Sequence, residues 1–335
     1  MTFAFVQGAT SFGQSTRSDS KPAPELKVVE TFKIGGPPGR WDYPVVDGDA
    51  KRLYITRSSF LQIIDTEKGT ALGEVKNLQG AHGTAVVPDK NLGFVTSGGE
   101  NAVVVFDLKT FQTIRKVSTS GSGSRGPDAI LYDPASQKVF AFCNGGDAVV
   151  IDPANLDAAP VAIACGGKLE YGQADGAGHV FVNNEAKSEI EVIDSKSLKL
   201  TDHWPIAPAT GPSGLAIDSA HHRLFSVGGN QKMAIVDSAS GKLLTTAEIG
   251  KRVDGCAFDP KLGVALSANG GDGTVTVVGE KSPGEFAALQ TLTTVKTGRT
   301  IANDPNTSRF FIPAALPAEG DSPAQFGIVV IGAAK

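Results

Sequence analysis

The stretches that decide the fold are LQIID (61–65), VVVFD (103–107), AVVID (148–152), IEVID (190–194) and MAIVD (233–237), short β-branched runs that each end on aspartate. VTVVG (275–279) and IVVIG (328–332) extend the series with glycine in place of the aspartate. Successive ends lie 42, 45, 42, 43, 42 and 53 residues apart, so six intervals define seven units of one repeat. A repeat of this length in a β-rich chain is that of a propeller blade: solenoid coils repeat at shorter periods, and α-repeats would space their apolar residues by about 3.6.

A second series runs about ten residues ahead in each unit: RLYIT (52–56), LGFVT (92–96), KVFAF (138–142), HVFVN (179–183), RLFSV (223–227), GVALS (263–267) and RFFIP (309–313). Turns such as SGGEN (97–101), CNGGD (143–147) and ANGGD (268–272) join the two series, which makes each pair a hairpin. A further apolar run follows each aspartate, as in ALGEV (71–75) and TIRKV (113–117), and gives an outer strand. Another precedes the second series, as in AILYDP (129–134) and CAFDPK (256–261), and gives the innermost strand. The expectation is all-β: a single seven-bladed propeller of four-stranded antiparallel blades over residues 26–335. VVETFKI (28–34) has outer-strand character yet comes first, so the terminal strands are expected to pair and close the ring. The long last interval predicts an insertion, PAALPAEGDSPAQFG (313–327), as a rim loop in blade seven.

The repeated aspartate is read structurally, as an acceptor for backbone N–H groups of the turn after it. His179, His221 and His222 fall in turns on the face opposite the funnel, and His203 in an outer strand, so they are read as surface or packing residues. No GxSxG, HExxH or P-loop motif occurs, and Cys256 sits in an inner strand, which disfavours serine or cysteine hydrolysis. The three cysteines, Cys143, Cys165 and Cys256, have neither CxxC nor CxxCH spacing, which excludes a zinc knuckle and covalent haem.

With 41% hydrophobic and 20% charged residues the chain has ample core and is not disordered over most of its length. A formal charge of −4 disfavours nucleic acid and anionic lipid as partners. Residues 1–25 pair an apolar stretch with a polar, proline-containing tail, like the back half of a signal peptide whose basic start is missing. Export to the periplasm or beyond is the resulting expectation, for a monomer without a transmembrane anchor in its mature form.

RLYIT (52–56) and IEVIDSKSLKL (190–200), with inner strands ending near Asp or Asp-Pro, resemble the YncE-like, YVTN-type propellers of bacterial envelopes. The resemblance extends over about residues 26–332 and rests on structural repeat positions. It implies a bacterial, exported, seven-bladed protein, with relatives that bind nucleic acid, carry cofactors or act as lactonases and lyases; it does not select among these roles.

The loops leading into the innermost strands of a propeller gather around its axis, so residues at one repeat position form a ring at the funnel mouth. Five residues before Asp47, Val87, Asp133, Asp175, Asp218, Asp259 and Asp304 stand Asp42, His82, Asp128, Glu170, Ser213, Asp254 and Arg299. All seven are polar and six are ionisable, which a surface loop would not ordinarily produce. Carboxylates brought to one axis raise one another's pKa unless a cation compensates them. His82 with Asp42, Asp128, Glu170 and Asp254 offers mixed nitrogen and oxygen ligation for Zn, Mn or Ca. Arg40, Arg125, Lys168, Arg252, Trp41 and Tyr171 flank the ring and suit a small anionic or sugar-like ligand.

Two functions follow. One is a binding or scaffold propeller that captures a small ligand, a metal or an envelope protein. The other is a metal-dependent lyase or lactone hydrolase, in which His82 and the carboxylates hold the metal and Glu170 or Asp128 is the base. A third, non-covalent haem or quinone binding through His82, fits less well with so acidic a funnel. The plain alternative is that the ring side chains pair with one another and brace a water-filled channel.

Overall fold

The computed structural model describes residues 25–120, 124–320 and 322–334; apart from Glu25, the expected signal remnant lies outside them. The first strand, β1 (Leu26–Lys33), belongs to the last blade. Blade one comprises β2 (Pro44–Asp47), β3 (Arg52–Thr56), β4 (Leu61–Asp65) and β5 (Ala71–Val75). Blade two comprises β6 (Thr84–Val87), β7 (Leu92–Ser97), β8 (Ala102–Asp107) and β9 (Thr113–Ser118). Blade three comprises β10 (Pro127–Asp133), β11 (Lys138–Cys143), β12 (Asp147–Ile151) and β13 (Val161–Ala164). Blade four comprises β14 (Leu169–Ala174), β15 (His179–Asn184), β16 (Glu189–Asp194) and β17 (Lys199–Pro205). Blade five comprises β18 (Pro212–Asp218), β19 (Arg223–Gly228), β20 (Lys232–Asp237) and β21 (Leu243–Glu248). Blade six comprises β22 (Val253–Asp259), β23 (Val264–Asn269), β24 (Thr274–Ser282) and β25 (Glu285–Thr293). Blade seven comprises β26 (Ala302–Asp304), β27 (Arg309–Leu316) and β28 (Gln325–Ala333), with β1 as its outer strand.

The seven antiparallel blades form the expected propeller. The second and third strands of the blades are mostly buried, as in β7 and β8, while outer strands such as β9 expose most of their residues. This gradient explains why the β-branched runs marked the repeat: those strands are packed on both faces between neighbouring blades. The packing forms layers between blades. Phe140 and Phe142 of blade three, for example, share a core cluster with Leu169, Val180 and Val182 of blade four.

The ring closes as expected, with Leu26–Lys33 of β1 pairing antiparallel to β28 from Ala333 to Gly327. Phe32 packs near Phe311 across this sheet, with centroids 6.4 Å apart. Arg57 of blade one lies over the Phe326 ring at 3.6 Å and donates to Pro38 O at 2.8 Å, fastening the first blade to the last.

The rim-loop expectation needs correction. Residues 313–316 continue β27 and residues 325–327 begin β28, with Pro313 opposite Ile328 and Leu316 opposite Gln325. The extra length is absorbed as a longer hairpin because alternate apolar residues there, such as Leu316 and Phe326, are buried. Part of the long interval also lies in blade six, where β24 and β25 run nine residues each.

The repeated aspartates turn inward on their own loops as expected. Asp194 accepts from Lys196 N (3.1 Å) and Ser197 N (2.6 Å), and Asp237 from Ala239 N (3.2 Å) and Ser240 N (2.9 Å). All three cysteines are free and buried, and burial pushes the Cys143 and Cys165 thiols up to about 12. Among the described residues no helix is long and apolar enough to cross a membrane.

Candidate functional site

The inner strands all begin at one mouth, and there the sequence makes them irregular. In β10, β14, β18 and β22 the register against the next strand breaks between Pro127 and Ile130, Leu169 and Gly172, Pro212 and Leu215, and Val253 and Cys256. Asp128, Glu170, Ser213 and Asp254 sit at these breaks. A bulge re-aims a side chain out of the pleat, here toward the axis. Asp42, His82 and Arg299 occupy the equivalent place just before β2, β6 and β26.

Hydroxyls of the second strands lock these segments. Thr96 donates to Asp128 O (2.7 Å) and accepts from Gly83 N (2.9 Å), while Thr56 donates to His82 O (2.7 Å). Residues following the ring positions meet the neighbouring inner strand. A Cβ at Gly214 would lie 2.6 Å from Cys256 N, and one at Gly255 would lie 2.7 Å from Ile301 N. Blades one and four instead carry tyrosines there. Tyr43 and Tyr171 meet with centroids 4.7 Å apart. Tyr43 lines the mouth and Tyr171 lines a second cavity further along the channel, so the pair separates the two spaces.

The mouth cavity, about 310 Å³, is lined by Asp42, Tyr43, His82, Asp128, Glu170 and Asp254, with Lys168, Glu185 and Ser213 beside them. Its charges divide into three groups. In the first, His82 Nδ1 shares a hydrogen bond with Asp42 Oδ2 at 2.7 Å and lies 3.6 Å from Asp128 Oδ1. In the second, Lys168 pairs with Glu170 at 2.7 Å and with Glu185, and Tyr43 donates to Glu170 at 2.8 Å. In the third, Arg299 pairs with Asp254, reaches Asp42 at 3.4 Å and donates to Trp41 O at 2.8 Å.

Burial pushes the Asp128 carboxyl up to about 7, with the Glu170 and Asp42 charges adding to it and His82 opposing. The Asp42 hydrogen bond holds His82 above the usual histidine range against its desolvation. Glu170 is raised by burial, opposed by Lys168. Tyr43 is raised well above its ordinary value by burial and then by the Glu170 charge.

The seven ring positions therefore converge, although the five candidate metal ligands do not act as one set. Only Asp42, His82 and Asp128 place one ligand atom each within 4.8 Å of one another; Glu170 and Asp254 are engaged by Lys168 and Arg299. Of the flanking residues, Arg40, Trp41 and Arg252 line a separate cavity between blades six, seven and one, together with Arg299. Arg125 is exposed, and its backbone carbonyl accepts from Gly145 N at 3.3 Å. His179, which opens β15, and His221, in the turn before β19, pair with Asp175 (2.8 Å) and Asp218 (2.7 Å) on the face opposite the funnel.

Sequence reasoning missed Tyr43 and Lys296. For Tyr43 a signal existed: the position after each ring residue reads Tyr43, Gly83, Ala129, Tyr171, Gly214, Gly255 and Thr300, where two large aromatics stand among five small residues.

No protein-family model matches the chain, and no curated protein matches it. Among solved structures it is similar to a chain of Kuenenia stuttgartiensis hydrazine synthase, with a TM-score of 0.70 and 16% identity over 83% of this chain and 93% of that one. At that identity the likeness is one of fold.

Proposed function

We propose that this chain is an exported propeller of the YVTN type that holds a divalent metal ion at Asp42, His82 and Asp128 and offers it to a small ligand in the funnel. The observation that carries this reading is the gathering of His82 Nδ1 and two carboxylate oxygens within 4.8 Å of one another. Ligand atoms at about 2.0–2.2 Å from one zinc ion stand about 3.3–3.6 Å apart in a tetrahedron, close to the 3.6 Å between His82 Nδ1 and Asp128 Oδ1, while the 2.7 Å hydrogen bond from His82 to Asp42 would have to open to admit the ion. One nitrogen and two oxygens suit Zn or Mn; Ca takes about 6–8 oxygens, and Glu170 and Asp254 are engaged elsewhere. Three protein ligands would leave positions open toward the cavity, as in reactive rather than structural sites. The charged lining favours an ion over haem or a quinone, whose binding sites are mostly apolar.

One observation supports turnover as a second reading. Tyr43 and Glu170 form a buried proton donor and acceptor in the same cavity, which fits metal-assisted lyase or lactone-opening chemistry with Glu170 as the base. Metal analysis by mass spectrometry on tag-free protein purified without chelators tests the metal reading. Close to one equivalent is expected in the wild type, and its loss in both His82→Ala and Asp128→Ala. A wild type that takes up no metal after supplementation would refute it.

A further inference from the structure

The cavity between blades six, seven and one carries chemistry that the funnel does not use. It has a volume of about 480 Å³ and is lined by Arg40, Trp41, Arg252, Lys296 and Arg299, with Gly270 and Gly271 among the neighbouring backbone. No acidic side chain lines it. Among the described residues, Arg40, Arg252 and Lys296 pair with no carboxylate, whereas Lys168 and Arg299 at the funnel do. In a chain of net charge −4 an uncompensated cationic cavity stands out. Like charges held together repel, and an anion relieves the repulsion.

The loops that carry these side chains are tied to one another before any ligand arrives. Thr297 N–H donates to Gly270 O at 2.9 Å, Gly271 N–H to Lys251 O at 2.9 Å, and Arg299 to Trp41 O at 2.8 Å. Trp41 is 8% exposed, and its indole Nε1 has no hydrogen-bond partner among the described residues. Arg299 faces both spaces: it lines this cavity while binding Asp42 and Asp254 of the funnel.

We propose that this cavity is a second binding site, for a small molecule carrying at least two negative charges as phosphate or carboxylate groups, held by Arg40, Arg252 and Lys296. Guanidinium forks match both groups in bidentate fashion, and the ammonium adds a point charge. The site does not depend on a metal in the funnel.

Isothermal titration of the 335-residue chain, stripped of metal and desalted, with pyrophosphate, citrate and acetate tests the proposal. Saturable binding of pyrophosphate or citrate at one per chain is expected, weakened about tenfold or more in an Arg40→Ala, Arg252→Ala double variant. Both side chains are exposed, so the variant should keep the wild-type melting temperature, which is measured alongside. Binding of pyrophosphate alone assigns a phosphorylated ligand, and binding of citrate alone a polycarboxylate. Asp128→Asn is expected to bind the anion as the wild type does, which separates this site from the metal reading. The proposal is overturned by absence of saturable binding, by acetate binding as tightly as citrate, or by binding that the double variant leaves unchanged.

Discussion

Asp128 is the ring carboxylate with the least help. Among the described residues its polar contacts are His82 at 3.6 Å and Asn144 at 3.3 Å, whereas Asp254 and Glu170 each have a Lys or Arg partner. Its carboxyl stands near 7 instead of the ordinary 3.8, so over that range the folded chain holds a proton that the unfolded chain has released. Stability therefore falls as pH rises from about 4 through 7, by up to about 4 kcal/mol for a shift of this size. His82, raised by Asp42, acts in the same direction: its contribution is full below the ordinary histidine value and is lost as pH climbs through the raised one. In metal-free protein the melting temperature of Asp128→Asn should gain on that of the wild type between pH 5 and 8 in a calorimetric series. A constant gap would show that burial does not hold the carboxyl up. The ring itself was legible in the sequence, because a repeat superposes positions that lie far apart in the chain. The tie between Tyr43 and Glu170 was not: it joins residues 127 positions apart, in blades that are not neighbours.

Each blade gains from its turns as well as from its core. Asp237 ends β20 and satisfies two backbone N–H groups and the Ser240 hydroxyl, while pairing with Arg223 at 3.2 Å. Asp237→Ala should cost about 1–2 kcal/mol in chemical denaturation, as expected for unmade hydrogen bonds at a partly exposed site. The Ser240 hydroxyl, ahead of the backbone donors, holds this carboxyl below its usual range, so its contribution exists at neutral pH and disappears as pH falls through the lowered value. The cost of the substitution should shrink in acid, and an equal cost at pH 7 and pH 3 would contradict that account. Strands such as β8 and β20 were legible because their alternate residues face two blades and are apolar throughout. The bulges in β10, β14, β18 and β22 were not, because they fall at the strand entrances, where polar ring residues and small residues leave no apolar alternation whose break could be read. The longer hairpins of blades six and seven were hidden for a related reason, since proline and glycine at 313–327 read as a loop until Leu316 and Phe326 are seen to be buried.

The whole ring depends on one non-local seam. Phe32 of β1 is 5% exposed, packs near Phe311, and stands where a Cβ on Gly69 of blade one would be 2.3 Å from its ring. Phe32→Ala should therefore destabilise by about 3–5 kcal/mol, the usual cost of an emptied aromatic site, and not by the small amount expected at a fraying terminus. A loss below about 1 kcal/mol in urea denaturation would mean that β1 contributes little to closure. Closure also holds the funnel together, since Arg299 of blade seven reaches Asp42 of blade one and Asp254 of blade six. The central claim is that this closed ring brings Asp42, His82 and Asp128 onto one ion. X-ray diffraction from crystals soaked in Zn²⁺ or Mn²⁺, with anomalous differences collected at the metal edge, tests it most directly. The account predicts one strong peak at the funnel mouth, within about 2.0–2.3 Å of His82 Nδ1 and of an oxygen from each of Asp42 and Asp128. A funnel without a peak, or a peak held by Glu170 and Asp254 instead, would contradict it.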